Sequence, residues 1–208
     1  SDLEQQTYRS RVRAISSRVG HYGRLLDVGC GRGDFLAVAS RDGWEVEGVE
    51  PSAHGAGHAQ GAYRLRVHHG TLETYPSPPE TFDVVTLYDV IEHVSHPLDL
   101  LLAAYRLLKP NGLIHLITPD FGSLSAHLLG KHWYHIKALE HVQYFTRGSL
   151  ERLVSATPLE LCEIGASRDF MTPSYVLDRL RMYNCLLFGV LLRLSESVPG
   201  FRPAVPIS

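Results

Sequence analysis

The chain has 208 residues, enough for one α/β domain with a real core, and its 44% hydrophobic and 20% charged residues are ordinary for a soluble globular protein. A formal net charge of −2 without any long basic run removes the electrostatic case for a nucleic-acid partner. Cys30, Cys162 and Cys185 form no CxxC pair, so they fit a reducing compartment and supply neither a disulfide framework nor a zinc site. The first residues carry no apolar h-region, so secretion is not expected. The longest apolar run, residues 185–192, is far short of the ~20 residues of a spanning helix. A cytoplasmic domain with no transmembrane segment is expected.

Residues 1–20 read as an amphipathic helix, with Tyr8, Val12, Ile15 and Val19 at helical spacing and an arginine cluster (Arg9, Arg11, Arg13, Arg18) on its solvated side. A buried strand, Leu25 to Val28, runs into a glycine-dense turn, and a helix follows from Asp34 to Arg41. The next strand is Trp44 to Glu50. Pro51 and Ser52 stop it and cap a marginal helix to Gln60. A short strand is expected at Tyr63–Val67, then an irregular, proline-bearing loop from Gly70 to Thr81. Phe82 to Tyr88 is a nearly continuous apolar strand, as buried parallel strands are. A helix from Pro97 to Leu108, a turn at Lys109-Pro110-Asn111-Gly112 and a strand from Leu113 to Thr118 follow.

Beyond Pro119 the alternation loosens. Residues 120–148, with Trp133, Tyr134, Tyr144 and Phe145, read as a lid or acceptor-contacting insertion. Ser149–Ser155 is expected as helix, Glu160–Gly165 as strand and 173–194 as an amphipathic C-terminal helix; the proline-bearing tail is a poor strand candidate. Strands alternating with helices predict a single α/β domain over 1–208. Its sheet is doubly wound and mostly parallel, with ligands at the carboxyl ends of the strands and an incomplete or degenerate last strand.

Gly29, Gly31 and Gly33 let the backbone turn sharply and approach a ligand closely, and the helix behind them offers unpaired N–H groups. A dinucleotide fingerprint would need its third glycine where Asp34 stands. Glu50 ends the second strand at the spacing of a carboxylate on ribose hydroxyls, and Asp27 precedes the glycines. Two carboxylates disfavour a polyphosphate and favour a cationic ligand with a ribose diol, a description that S-adenosylmethionine meets.

Leu25-Leu26-Asp27-Val28-Gly29-Cys30-Gly31-Arg32-Gly33, Val49-Glu50-Pro51-Ser52, Phe82-Asp83-Val84-Val85, Val90-Ile91-Glu92-His93-Val94 and Leu107-Leu108-Lys109-Pro110-Asn111-Gly112, in this order, resemble class I S-adenosylmethionine-dependent methyltransferases with a Rossmann-like fold. The resemblance covers roughly Leu25 to Leu153. Glu140-His141-Val142-Gln143-Tyr144-Phe145-Thr146 looks like the subgroup acting on small molecules such as quinone precursors and sugars.

The resemblance implies that Gly29, Cys30, Gly31 and Gly33 lie against the methionine and ribose portions, that Asp27 orients the amino group, and that Glu50, next to Pro51, takes both ribose hydroxyls. Thr71 and Leu72 would sit by the adenine edge, and Tyr88 and Asp89 at the methionine end. The expected reaction is methyl transfer to a small-molecule acceptor, at oxygen first, with N- or C-methylation of a sugar or natural-product intermediate as the alternative. S-adenosylhomocysteine would be the product. An NAD-dependent oxidoreductase and an inactive cofactor-binding scaffold are the rivals from other classes.

A hydroxyl acceptor needs a base, and the candidates are His141, then His135 and His93. His132 with His135, His93 with His96, and Asp89 with Glu92 and His93 are spaced to share a metal, as some relatives acting on quinone precursors do. Capping and packing of the loop is the simpler role, and no metal is expected. Cys30 reads as a small space-filler. The arginines around 185–194 leave peripheral membrane contact open, and a monomer or homodimer is expected.

Overall fold

The computed structural model describes residues 2–137, 139–167, 169–171 and 205–207. The helix expected over 173–194 lies outside the described residues, as does the side chain of His132.

Helix α1 (Asp2–Val19) leads into strand β1 (Arg24–Val28), α2 (Asp34–Asp42), β2 (Glu45–Glu50), α3 (Ala53–Tyr63) and β3 (Arg66–His69). After a short turn of 3-10 helix at Leu72–Thr74 come β4 (Phe82–Tyr88), a second such turn at Ile91–His93, α4 (Pro97–Leu107) and β5 (Leu108–Ile117). The five strands pair in the order β3-β2-β1-β4-β5, every pair parallel. Strand order reverses between β1 and β4, and the crevice there is where such sheets bind ligands.

Side chains alternate across each strand, so the sheet feeds two cores. Leu25 and Val84 face α1 and α2 with Ile15, Phe35, Leu36 and Trp44; Leu26, Val28, Val85 and Leu87 face α4 with Leu100, Leu101 and Leu107. Burying each of these large side chains contributes about 1.5–3 kcal/mol. The sheet's lower edge is pinned at Asp83, whose Oδ2 accepts from the Arg24 N–H at 2.7 Å and from Lys109 Nζ at 2.8 Å.

Several sequence expectations need correction. Helix α3 is longer than expected: capped at Ser52, whose Oγ accepts from Gly55 N–H at 3.3 Å, it runs on through Tyr63, so β3 begins at Arg66. Its small residues serve close packing, since a Cβ on Gly33 would sit 2.8 Å from that of Ala59. Residues 109–112 belong to β5 as an irregularity, with Asn111 at φ 64° where the register shifts between Phe82 and Val84. The loop from Gly70 holds one ordered turn, closed by Thr71 and Thr74.

After β5 come α5 (Leu124–Leu129), a 3-10 turn at Gly130–His132 and α6 (Arg147–Ser155). The strand expected at Glu160–Gly165 does not form. Instead β6 (Asp169–Met171) pairs antiparallel with β7 (Val205–Ile207), as a separate two-stranded sheet. The tail is thus a strand despite Pro206, because a ribbon of two edges leaves room for a residue without an N–H.

Candidate functional site

The first half of the site is built where β1 and β2 end. Gly29 N–H and Cys30 N–H both donate to the Val49 carbonyl, at 2.8 and 3.1 Å, folding the loop over the end of β2. Gly29, Gly31 and Gly33 have φ of 73°, 53° and 82°, the left-handed region that side chains resist. A Cβ on Gly29 would meet Val90 at 2.6 Å, whereas at Gly31 nothing stands within 4 Å. The loop is therefore packed at its ends and open in the middle, the shape of a cradle.

Glu50 is buried, and both of its oxygens hold main chain: Oε2 accepts from Gly31 N–H and Oε1 from Ser52 N–H, each at 2.8 Å. A carboxylate offers about four lone-pair sites, so each oxygen keeps one for a hydroxyl donor. Asp27 is 4% exposed and accepts from Thr86 Oγ1 at 2.6 Å. Burial pushes its carboxyl up to about 7, against the lowering effects of Thr86 and Arg11. A cation arriving there would draw it back to the charged form.

Arg11 reaches this end of the sheet from α1, its guanidinium 4.7 Å from the centre of the Tyr88 ring. The sequence reading left it in a solvated cluster, and no local motif marks it; only the packing of α1 brings it in. The Tyr88 hydroxyl shares a 2.9 Å hydrogen bond with His115 Nδ1, and its ring stands edge-on to Phe35. Asp89 is exposed at φ 53°. Thr71 is exposed, while Leu72 turns its side chain into the core and leaves only main chain to a ligand. Pro51 is exposed, its carbonyl accepting from His69. The Cys30 thiol fills the space beside Gly48, where a Cβ would come within 2.6 Å of its Sγ.

The second half joins the turn after β4 to the segment after β5. Val142 N–H and Gln143 N–H both donate to the Glu92 carbonyl, at 3.0 and 3.1 Å, and His93 Nδ1 donates to the Glu140 carbonyl at 2.8 Å. These clips bring His93 and His141 together, ring centres 4.7 Å apart. Glu92 and His141 are 2% and 6% exposed, and Glu92 Oε1 and His141 Nδ1 have no hydrogen-bond partner among the described residues. Thr118 Oγ1 donates to the other Glu92 oxygen at 3.0 Å. Burial raises the Glu92 carboxyl; burial, with the neighbouring His93 and Lys137, lowers the His141 imidazole.

One ligand atom each from Glu92, His93 and His141 lies within 4.8 Å of the others, so among the described residues these three, rather than the Asp89 set, come close enough to share a cation. The His135 ring does not join them; it meets the Trp133 ring at a tilt and the Tyr134 ring edge-on, each with centres 5.0 Å apart. Around His141 the wall is aromatic, with Tyr144, Phe121 and Trp133 in ring contact.

The family model described as "Methyltransferase domain" matches residues 4–164, which take in both halves of the site. The chain belongs to this methyltransferase family. Among curated relatives it is 38% identical over 95 residues to a ubiquinone biosynthesis O-methyltransferase of Roseobacter denitrificans, covering 43% of this chain and 38% of that one. A protein of that name from Cereibacter sphaeroides is 31% identical over 148 residues, 68% of this chain and 57% of the relative. The chain thus spans about 38% to 57% of the length of these relatives. Among solved structures, the YcgJ protein of Bacillus subtilis superposes with a TM-score of 0.67 at 20% identity over 90% of this chain and 81% of that one, a likeness of fold. A SAM-dependent methyltransferase of Thermotoga maritima, described as a possible histamine N-methyltransferase, gives 0.60 at 26% identity over 74% of this chain and 72% of that one. Among the described residues no helix is long and apolar enough to cross a membrane.

Proposed function

We propose that the chain transfers a methyl group from S-adenosylmethionine to the hydroxyl of a small, largely apolar acceptor. The observation that carries this is the Glu50 carboxylate, buried at the switch point beside an open glycine loop, with a second buried carboxylate, Asp27, next to it. Glu50 would accept from the ribose hydroxyls and Asp27 from the ammonium group. Arg11 would face the carboxylate of the methionine portion, and the Thr71–Leu72 main chain the adenine edge. The bound sulfonium supplies an already activated methyl group.

The residues' task is then alignment and proton removal. His141 Nδ1, kept neutral by burial, would accept the acceptor's hydroxyl proton, a contribution of about 10²–10⁴-fold. His93 is within ring contact and would steer that imidazole; His135 is placed to line the wall. The relatives named for ubiquinone biosynthesis and O-methylation favour a phenolic acceptor, and exposed Leu124, Leu128, Leu139 and Val142 along the same segment favour an apolar substituent on it.

A second reading rests on the Glu92, His93 and His141 set, which could hold a divalent cation and so lower the hydroxyl's pKa as a Lewis acid. Calorimetry with S-adenosylmethionine, S-adenosylhomocysteine and NAD, followed by transfer of labelled methyl to a panel of catechols, tests the proposal. Binding of NAD but of neither sulfur nucleotide overturns it. Activity abolished by chelator and restored by Mg²⁺ moves the proton-removing role from His141 to the cation.

A further inference from the structure

Asp27, Thr86 and His115 are register partners across β1, β4 and β5, so their side chains leave the same face of the sheet. Tyr88 leaves that face next after Thr86. Arg11 meets these groups from α1, its guanidinium over the Tyr88 ring at 4.7 Å from the centre. The ring is held by two others. Phe35 stands edge-on to it with centres 5.0 Å apart, and His115 is perpendicular to it at 5.5 Å. Tyr8, one turn before Arg11 on α1, backs Phe35 at 6.2 Å.

The Tyr88 hydroxyl and His115 Nδ1 share their 2.9 Å hydrogen bond at the far end of the ring from the strand. Burial, and then the Arg11 guanidinium, hold the His115 imidazole below its usual range, while burial and Asp27 push the Tyr88 phenol up. Both partners are therefore uncharged at neutral pH, and the bond anchors the ring without adding a charge beside Arg11. Asp27 also feels the Arg11 guanidinium, which lowers it. A cation and a carboxylate placed together complement an α-amino acid, whose carboxylate and ammonium carry the opposite charges. An arginine is long and flexible, and binding a carboxylate needs its planar fork aimed; an aromatic face restrains that plane.

We propose that Tyr88 and His115 are positioning residues for the amino-acid end of the cofactor: His115 anchors the Tyr88 ring, and the ring aims Arg11 at the carboxylate. Tyr88 acts through Arg11 and not by touching the ligand. The pair thereby makes the site selective for thioether nucleosides that carry an amino-acid tail. This rests on the cofactor reading above, in which Arg11 faces that carboxylate.

The test is calorimetry of the full chain with S-adenosylhomocysteine and with 5′-methylthioadenosine, which keeps adenine, ribose and thioether but has neither carboxylate nor ammonium. The ratio of the two affinities is compared between the unsubstituted protein, Tyr88→Leu, Tyr88→Phe, His115→Leu and the double variant Tyr88→Phe/His115→Leu. Tyr88→Leu lowers the ratio roughly fivefold to thirtyfold, the worth of a desolvated cation–π contact, through S-adenosylhomocysteine alone. Tyr88→Phe, which removes one oxygen and keeps the ring, and His115→Leu each lower it roughly threefold to tenfold. The double variant falls no further than either, because both substitutions cut one bond. A residue that only packs the fold would weaken both ligands together and leave the ratio as it was. Ratios in Tyr88→Leu and His115→Leu within about twofold of the unsubstituted protein overturn the proposal and leave the cofactor reading standing. A double variant showing the product of the single losses does the same. An unsubstituted protein with no preference for S-adenosylhomocysteine overturns the role of Arg11 and the proposal with it; one that binds neither nucleoside overturns the cofactor reading as well.

Discussion

Replacing Glu50 by glutamine tests the cradle at its hinge. Each Glu50 oxygen now accepts from a main-chain N–H, Gly31 on one side and Ser52 on the other, both at 2.8 Å. An amide has one oxygen, so in either orientation its NH₂ group meets an N–H head-on and one buried donor goes unpaired. Losing a charge-assisted bond of this kind costs about 1.5–3 kcal/mol in folding stability. The ligand pays separately. A ribose diol that needs two acceptors keeps one, which weakens S-adenosylhomocysteine by about 10- to 100-fold, taking 1.4 kcal/mol per decade. Urea unfolding followed by fluorescence reads the first quantity and titration calorimetry the second. A variant that unfolds at the unsubstituted midpoint and binds within about twofold would refute the role given to Glu50.

His141→Gln lowers kcat by about 10²–10⁴-fold with little change in cofactor affinity, and removes the acid limb of the rate profile, which in the unsubstituted enzyme falls below histidine's usual range. Full turnover with an unaltered pH profile would sink the base assignment. Gly33→Ala costs about 2–4 kcal/mol, because φ is 82° and the new methyl would lie 2.8 Å from both Ala59 and Leu65; an unchanged melting temperature would contradict this. Asp83→Asn loses about 1–3 kcal/mol. Burial would raise that carboxyl, but the Lys109, Arg24 and His21 partners outweigh it and hold it below the usual carboxylate range. Its stabilisation is therefore present above the unfolded carboxylate's pKa and is lost as pH falls through the lower folded value. Acid-unfolding curves that coincide for the unsubstituted protein and the Asp83→Asn variant across that window would exclude the effect.

The gathering of Asp27, the three glycines and Glu50 at one end of the sheet was legible because its determinants are local. Leu25 to Gly33 and Phe82 to Tyr88 carry strand and turn signals within a few residues, and Glu50 follows at a spacing set by one helix and one strand. Arg11 was hidden because its placement depends on how α1 crosses the sheet, which periodicity does not specify. The meeting of Glu92 and His141 was hidden for a similar reason: it depends on clips from Glu140, Val142 and Gln143 to the Glu92–His93 turn, which join segments far apart in the chain. Composition misled twice. The glycines of α3 lower its intrinsic propensity, but its small residues allow the approach to Gly33, and prolines argued against a strand at 205–207 that sits in an edge-only ribbon.

The segment after β5 has its two ends tied together. Asp120 bridges Phe145, and Phe121 N–H donates to the Phe145 carbonyl at 2.8 Å, so the stretch between leaves and re-enters the domain at one point. The clips from residues 140, 142 and 143 to the Glu92–His93 turn lie just inside that base. If this stretch meets the acceptor as proposed, exchanging residues 121–139 between related enzymes as a cassette would change what is recognised while His141 keeps its tether. Selection could retune the acceptor in the same way, one loop at a time, without disturbing how the methyl donor is held.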